Sequence, residues 1–422
     1  MKILFLIISL LIGTFYNMRF PEGEPDRIIR KLMREKNNTQ RMDLILRLAA
    51  FDETELTSEK QRQIIPTFLR WYRDDPHPGV HAAIDYLFRN SKSGNIPRKF
   101  DWKLRDSLII IDKLLSTTPF VKRKWYVTKT CQTMVIIEGP VRFEMGSPST
   151  EPDRDNDESM HMVNIPRSFA IANKEVTVAE YQRFLDGNPV IKAAAKKDPD
   201  KDPTRDNPRM KTFSPDDNCP QIMMNWYEAA QYCNWLSKEE RIPEEEWCYP
   251  SMNEIKDGMQ MPDNYLHRTG YRLPTEAEWE FACRSGSSTS RFYGMSEQIL
   301  DRYAWYSKHP MKSKKDTVAK DDPNRTFPVG QLLPNNFGLF DVYGNVWEWC
   351  QSRRLPYVRH ETTDNEDLLL VILDTLARVR RGGSFSYGKE CMRSAHRGAN
   401  NAFPNQRRDN VGFRIARTMK TN

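Results

Sequence analysis

The sequence contains no apolar run long enough for a confident membrane span, which requires about 20 residues. The eleven-residue stretch ILFLIISLLIG follows Lys2 and has the length and flanking charge of a signal-peptide core. No small-x-small cleavage site follows it, and no cysteine lies nearby to carry a lipid. A buried first helix is the alternative. We expect residues 1–17 to be a signal peptide or a membrane anchor, and the protein to be exported (periplasmic, extracytoplasmic or membrane-anchored).

Cysteine pairs with a recognisable spacing are also lacking. The seven cysteines are an odd number, so at least one is unpaired within the chain. They form no C-x-x-C pair and no metal-ligand spacing. Cys233 and Cys283 fall among apolar positions of predicted helices, which favours small core residues.

The sequence has no strong excess of charge of either sign. The 64 basic and 57 acidic residues give a formal charge of +7, which is mild for 422 residues. This balance does not indicate nucleic acid as a partner. Hydrophobic and charged contents of 39% and 29% are typical of a soluble globular protein, and the length predicts two domains.

Residues 18–125 have a helical periodicity. Apolar residues recur at i, i+3, i+4 and i+7 in two stripes, which consist of Met42, Ile45, Leu46 and Ala49, and of Val80, Ala83, Ile84 and Leu87. The segment RDDPHPG between the stripes contains Asp-Pro and Pro-Gly steps that end one helix and begin the next. This region is predicted to be a small stack of antiparallel helices.

Residues 126–420 have a mixed pattern. Three predicted helices begin with a capping box, in which a Thr or Asn precedes a Glu by three positions: Thr177/Glu180, Asn225/Glu228 and Thr275/Glu278. Short aromatic and β-branched segments between Gly, Pro and Asn predict brief strands. Residues 192–218 are rich in Lys, Asp and Pro, and predict a mobile insertion.

Nine segments after residue 125 occur in the order found in one protein family. They are FEMGS (143–147), KEVTVAEYQRFL (174–185), NWYEAAQYCNWL (225–236), YRLPTEAEWEFACRSG (271–286), PVG (328–330), NNFGLFDVYGNVWEW (335–349), RGGSF (381–385), RSAHR (393–397) and NVGFRIAR (410–417). Together they resemble the formylglycine-generating enzyme, or sulfatase-modifying-factor, family. The resemblance implies an α+β fold: an irregular, loop-rich variant of the C-type-lectin fold, preceded here by the small all-α region. Similar helical segments precede such domains in some multidomain bacterial signalling proteins.

The resemblance also implies a calcium site in the segment DVYGNVWEW. Asp341 and Glu348 would supply carboxylate oxygens, and Gly344 and Val346 would supply backbone carbonyls. Calcium prefers several oxygen ligands, and a tight Gly-Asn turn can aim two carbonyls inward. The alternative is a buried turn without metal, in which an arginine pairs with Glu348. Ala304 stands where the second calcium site of the family has an asparagine, which argues against that second site.

The copper site of the family is not matched. Copper-dependent members follow the Gly-Gly-Ser-aromatic segment with two cysteines five positions apart, and their thiolates hold Cu(I). The corresponding stretch here is SYGKECM (386–392), which has Tyr387 at the place of the first cysteine and Cys391 as its one thiol. Copper is therefore not expected. Cys391 and Ser384 remain candidate catalytic residues, although GGSFS lacks the G-x-S-x-G pattern of a nucleophile elbow.

Iron-dependent relatives carry an H-x3-H-x-E arrangement in a helical domain. The nearest match here is HPGVHAAID, in which His77 and His81 have the right spacing but Ala83 replaces the glutamate. A proline on each side of His77 also keeps the two histidines off one continuous helical face. A non-haem iron site is not expected.

Three functions remain open. The first is an oxidoreductase that converts a sulfatase cysteine to formylglycine; the fold supports it and the missing cysteine pair opposes it. The second is a module that binds a peptide or protein ligand in the same groove, lined by Tyr387, Arg393 and His396. The third is a structural component of an envelope complex, with the helical region as the docking surface for a protein partner. We favour the binding module without copper chemistry, with the oxidase as the alternative.

Overall fold

The computed structural model describes residues 25–91, 98–196, 202–308, 325–358, 360–399 and 401–420. The segment 1–17, for which a signal peptide or anchor is predicted, lies outside these ranges. Within them, no helix has both the length and the apolar character that crossing a membrane requires.

The described chain begins with a helical region, residues 25–115. Its α-helices are α1 (Pro25–Arg34), α2 (Asn38–Arg47), α3 (Ser58–Asp74), α4 (Pro78–Arg89) and α5 (Arg105–Leu115). Both predicted stripes fall on the expected elements, since Met42 and Ile45 of α2 and Val80 and Ile84 of α4 share one apolar core. The helical prediction for this region is confirmed.

Helix α4 lies between this core and the rest of the protein. Its Ala82 and Tyr86 belong to the large core formed by later residues. His81 is buried between two aromatic rings, with centroid distances of 4.1 Å to Tyr72 and 3.7 Å to Trp125. The Trp125 indole donates to the Asp75 carbonyl over 2.8 Å. The helical region is thus packed against the domain that follows.

The mixed domain, residues 125–420, contains short strands in several small sheets. The strands are β1 (Trp125–Val127), β2 (Thr133–Ile137), β3 (Val141–Met145), β4 (His161–Ile165), β5 (Ser168–Ala172), β6 (Met259–Gln260), β7 (Tyr271–Arg272), β8 (Ala304–Trp305), β9 (Tyr343–Gly344), β10 (Trp347–Arg353), β11 (Thr362–Thr363), β12 (Val371–Ile372), β13 (Arg378–Arg381), β14 (Val411–Gly412) and β15 (Ala416–Met419). The largest sheet has the order β1-β2-β5-β15-β7, and two three-stranded sheets have the orders β13-β10-β14 and β11-β4-β3. Strands β12 and β6, and β8 and β9, form two further pairs.

The helices of the mixed domain begin where the capping signals predict. They are α6 (Val178–Gly187), α7 (Pro189–Ala195), α8 (Pro208–Phe213), α9 (Trp226–Glu239) and α10 (Glu276–Arg284). The capping boxes at the starts of α6, α9 and α10 all have both of their hydrogen bonds. The predicted α+β, loop-rich fold after an all-α region is confirmed.

The described part of the Lys/Asp/Pro-rich insertion contains short helices, and the mobility of the insertion stays a prediction. Helix α7 overlaps the start of the insertion, and α8 lies inside it. Met210 of α8 is buried against Val178, Ile222 and Val346. The reason is tertiary: the buried Met210 anchors α8, in an otherwise polar segment, to an existing core.

Candidate functional site

A buried turn at Gly344-Asn345 joins β9 to β10. Gly344 has φ +75°, and a Cβ there would lie 2.0 Å from the Trp305 carbonyl oxygen, so the position requires glycine. Asn345 also has a positive φ, of 55°. Its side chain donates to Glu175 Oε2 over 2.8 Å and accepts from the Phe327 amide over 3.0 Å. These contacts replace the water that such a turn normally meets, so the turn can lie against tryptophans.

Strand β10 sends its side chains alternately to two faces. Trp347 and Trp349 point to one face and Glu348 to the other, where Glu348 is fully buried. Glu348 accepts from Arg414 Nε and Nη2, each over 2.6 Å, and from the Trp279 indole over 2.7 Å. The arginine partner considered as the alternative for Glu348 is therefore present.

The other predicted calcium carboxylate has a free oxygen. Asp341 Oδ2 accepts from the Gly330 amide over 2.7 Å, whereas Asp341 Oδ1 is buried without a partner. Burial raises the pKa of Asp341 to about 6. Burial, and then the charges of Asp341 and Glu348, raise the pKa of the neighbouring Glu175. A cation beside Asp341 would satisfy the free oxygen and favour the charged forms of Asp341 and Glu175, so Asp341 fits a structural calcium ion. Both oxygens of Glu348 already accept from Arg414, which leaves Glu348 less suited to the same ion. The calcium ligand set of Asp341, Gly344, Val346 and Glu348 stays a prediction.

Three aromatic rings form a surface above β10, which we name the Tyr387 face. Tyr387 is 40% exposed, and its ring lies edge-on to Trp347 at a centroid distance of 5.3 Å. His396 lies on the other side at 5.6 Å from Trp347. The structure thus brings together two of the three residues predicted to line a groove.

His396 is the centre of a charged cluster beside Cys391. Its Nδ1 lies 3.3 Å from Asp155 Oδ2 and 3.6 Å from Glu158 Oε1. Burial lowers its pKa, but hydrogen bonds with Asp155, Cys391 and Glu158 outweigh that effect and raise it to about 10. His396 is therefore an imidazolium at neutral pH.

Asp155 and Glu158 are the charged neighbours of His396 that the motifs did not reveal; the acidic segment EPDRDNDES (151–159) was the available signal. Among the described residues, Asp155, Glu158 and His396 are the one group of three or more His, Cys, Asp or Glu side chains with ligand atoms within 4.8 Å of one another. Arg393 already donates to both oxygens of Glu158, each over 2.7 Å. An arginine in that position repels a metal ion, so the cluster is an ion-pair network.

The remaining predicted site residues are inside the protein. Arg393 is 2% exposed, and it is held by Glu151 and Glu158 and by the Asp153 carbonyl. Its guanidinium positions the acidic segment and is not presented to a ligand. Ser384 is fully buried, and its hydroxyl lies 3.2 Å from that of Ser386, with no histidine among its hydrogen-bond partners. Among the described residues, no base is placed to activate Ser384.

A separate cavity of about 680 Å³ lies between the helical region and the mixed domain. Asp85, Arg89 and Asp112 line one side, and Lys174 and Glu175 line the other. Lys174 Nζ is ion-paired with Asp85, which also accepts from Arg89 Nε over 2.6 Å. This network connects the two parts of the protein.

Comparison with known proteins agrees with this architecture. The family described as "Sulfatase-modifying factor enzyme 1-like domain" matches residues 123–419. The structure of PvdO from Pseudomonas aeruginosa shares the fold, with a TM-score of 0.51 and 24% identity over 70% of this chain and 98% of that one.

Curated relatives are distant in sequence. The formylglycine-generating enzyme of Mycobacterium tuberculosis is 28% identical over 264 residues, which are 57% of this chain and 83% of that enzyme. "Chaperone protein LppX" of Paenibacillus barcinonensis is 32% identical over 142 residues (31% of this chain and 51% of that protein), and the mouse formylglycine-generating enzyme is 28% identical over 204 residues (47% and 44%). The chain thus spans about half of the length of these last two relatives. Since the family match covers most of the chain, this protein belongs to the sulfatase-modifying-factor (formylglycine-generating-enzyme-like) family.

Proposed function

We propose that this chain is a ligand-binding member of the family that does not carry out copper-dependent oxidation. The observation behind this proposal is the composition of residues 386–392. Tyr387 takes the place of the first family cysteine and packs against Trp347, while Cys391 contacts His396. A Cu(I) ion held by two thiolates needs a second sulfur where the chain has a phenol. All seven cysteines are free of disulfides.

The Tyr387 face is our proposed binding surface for a peptide or protein ligand. Exposed tyrosine next to a nearly buried tryptophan is typical of residues that dominate binding energy, because large rigid rings bury much area at a low entropic cost. Cys391 and His396 contact each other, and the His396 ring lies beside Trp347. Their imidazolium–sulfur contact favours a polar group of the ligand over an apolar one at that point.

A turnover assay separates the binding module from the oxidase alternative. The purified chain is incubated with Cu(I), oxygen and a sulfatase-type Cys-x-Pro-x-Arg peptide, and the peptide is examined by mass spectrometry. We expect no conversion of its cysteine to the aldehyde. Turnover that is lost in Cys391→Ala would establish the oxidase and refute our proposal.

A binding assay tests the surface directly. The same peptide, labelled with a fluorophore, is titrated with the chain and followed by anisotropy. Tyr387→Ala should weaken binding by about tenfold, the usual effect of a hot-spot aromatic residue. Val190→Ala, at a residue that is 80% exposed on α7, is the matched control and should leave binding unchanged. Equal affinities for all three proteins would exclude the Tyr387 face as the binding site.

Three further assignments belong to this proposal. Calcium bound at Asp341 would hold the Gly344 turn in place. Export rests on the apolar amino-terminal stretch. A protein partner for the helical region is supported by Ile110 and Leu114 of α5, which are apolar and 68% and 54% exposed.

A further inference from the structure

Arginine 380 differs from the other buried arginines of the described chain. The other eight are Arg272, Arg284, Arg291, Arg378, Arg381, Arg393, Arg397 and Arg414, and each has a carboxylate within 4 Å. Arg380 is 8% exposed, and it has no carboxylate partner among the described residues. A charged side chain is rarely buried without a counter-ion, because desolvation costs several kcal/mol.

Two buried hydrogen-bond donors also lack acceptors at this place. Arg380 of β13 pairs directly with Trp349 of β10, so the two side chains lie on the same face of their sheet. The guanidinium carbon lies 5.6 Å from the centre of the tryptophan ring. Both Arg380 Nε and Trp349 Nε1 are buried without a hydrogen-bond partner. Two adjacent orphan donors indicate a missing acceptor, since native proteins seldom leave such groups unsatisfied.

The surrounding charges are also positive. Burial lowers the pKa of Arg380, Tyr387 raises it, and Arg408 and Arg354 lower it again, to about 10. Arg354 is ion-paired with Asp157, and Arg408 is exposed to solvent. The groups facing Arg380 therefore add positive charge to a site that already has an excess of donors.

We propose that Arg380, Trp349 and Arg408 form a subsite for an oxyanion, a phosphate, sulfate or carboxylate group carried by the ligand of the Tyr387 face. This assignment rests on the proposed binding function and names the chemistry of one part of the ligand. A guanidinium presents its donors in a planar fork that matches such groups, and the indole N–H supplies one more donor. The neighbouring Tyr387 ring would then contact the body of the ligand.

The test uses simple anions, so that it does not depend on the identity of the ligand. Thermal unfolding of the full chain is followed while sodium phosphate, sulfate or acetate is added at constant ionic strength. We expect a saturable rise in Tm with at least one anion, and the three arms show whether a tetrahedral oxyanion or a carboxylate is preferred. Arg380→Met should weaken the response at least about tenfold, the effect of losing a charged hydrogen-bond donor.

Two further variants keep the result interpretable. Arg142→Met is the control, because Arg142 of β3 is exposed and paired with Glu361, and its anion response should equal that of the wild type. Arg408→Gln alters an exposed residue at no cost to folding, and should weaken the response about two- to fivefold. An absent anion response, or one unchanged in Arg380→Met and Arg408→Gln, would overturn the oxyanion subsite. Peptide binding that depends on Tyr387 but not on Arg380 would leave the proposed function intact and refute the subsite alone.

Discussion

Single residues of this protein carry charge states that only their surroundings explain. His396 is a cation because Asp155 and Glu158 lie beside it, and Asp341 holds a free oxygen because its amide partner reaches only one side of the carboxylate. Both residues come from recognisable motifs, but the motifs do not indicate whether the imidazole or the carboxyl group is protonated. Their roles can therefore be tested by changing pH and ions.

The first prediction concerns His396. Its pKa is raised from the usual value of 6.5 to about 10 in the folded protein, so its stabilising effect is full below pH 6.5 and is lost as pH rises through 10. The difference in unfolding free energy between wild type and His396→Gln should shrink by about 1–3 kcal/mol between pH 7 and pH 10. Urea unfolding at a series of pH values measures it.

His267 provides the control for this experiment. Its side chain is 77% exposed and is paired with Glu366. His267→Gln should show a difference from the wild type that stays constant within about 0.5 kcal/mol between pH 7 and pH 10. A constant difference for His396→Gln as well would contradict the ion-pair role.

The second prediction tests calcium at Asp341. A chelator should lower the Tm of the wild type, and calcium added at about 100 times its dissociation constant should restore about 2.7 kcal/mol of stability. Asp341→Asn removes the charged oxygen and should abolish the calcium response while retaining an acceptor for the Gly330 amide. Differential scanning calorimetry with and without calcium measures the change in Tm. Identical unfolding curves of the wild type under the two conditions would exclude the calcium site.

At the scale of elements, the glutamates of the capping boxes differ in how many other side chains they bind. Glu278 of α10 caps Thr275 and also pairs with the fully buried Arg272, over 2.6 Å, and with Arg167, over 2.8 Å. Glu180 of α6 makes the same capping contact, and among the described residues its further side-chain hydrogen bond comes from Gln132, with no ion pair to an arginine. Two helices with the same start signal thus depend on it to different extents.

The third prediction compares these two glutamates. Glu278→Gln should destabilise the protein by about 3–5 kcal/mol, since it leaves the fully buried Arg272 without its carboxylate partner and removes one of the two carboxylates that pair with Arg167. Glu180→Gln retains the shape and one acceptor oxygen, and should cost less than about 1 kcal/mol. Chemical denaturation of both variants measures the difference. Equal losses would show that capping alone, and not the arginine network, stabilises α10.

At the scale of the whole molecule, the helical region and the family domain share buried contacts. Asp85 of α4 is 3% exposed and pairs with Arg89 of its own helix and with Lys174 of the domain. Tyr72 donates to Asp112 over 2.7 Å, which extends the network into α3 and α5. These contacts favour unfolding of both parts in one transition.

The fourth prediction tests that coupling. Asp85→Asn should cost about 3 kcal/mol, because it leaves part of the charge on Arg89 and Lys174 without compensation, and should separate two unfolding transitions in calorimetry. Asp74→Asn is the matched control on the exposed end of α3, where Asp74 pairs with Arg73 at 51% exposure, and should cost less than about 0.5 kcal/mol. One unchanged transition in Asp85→Asn would mean that apolar packing alone couples the two parts.

The sequence determined what depends on residues close together along the chain. The stripes of α2 and α4 predicted helices because apolar residues at helical spacing have one face to bury. The capping boxes located the starts of α6, α9 and α10, since their hydrogen bonds span three positions. The ordered motifs identified the family, and the single thiol in residues 386–392 already argued against the copper site.

Only the tertiary structure decided which charges meet. Glu348 pairs with Arg414 across 66 positions, and Arg393 is clamped to Glu158 across 235, so Arg393 is buried where the motif suggested a groove. The packing of α8 and the lack of a carboxylate partner for Arg380 could not be predicted either, because they too depend on residues far apart along the chain. The local sequence determines which charged side chains are present and how they are spaced. Their burial and their counter-ions depend on chain segments that are far apart in sequence and meet only in the folded protein.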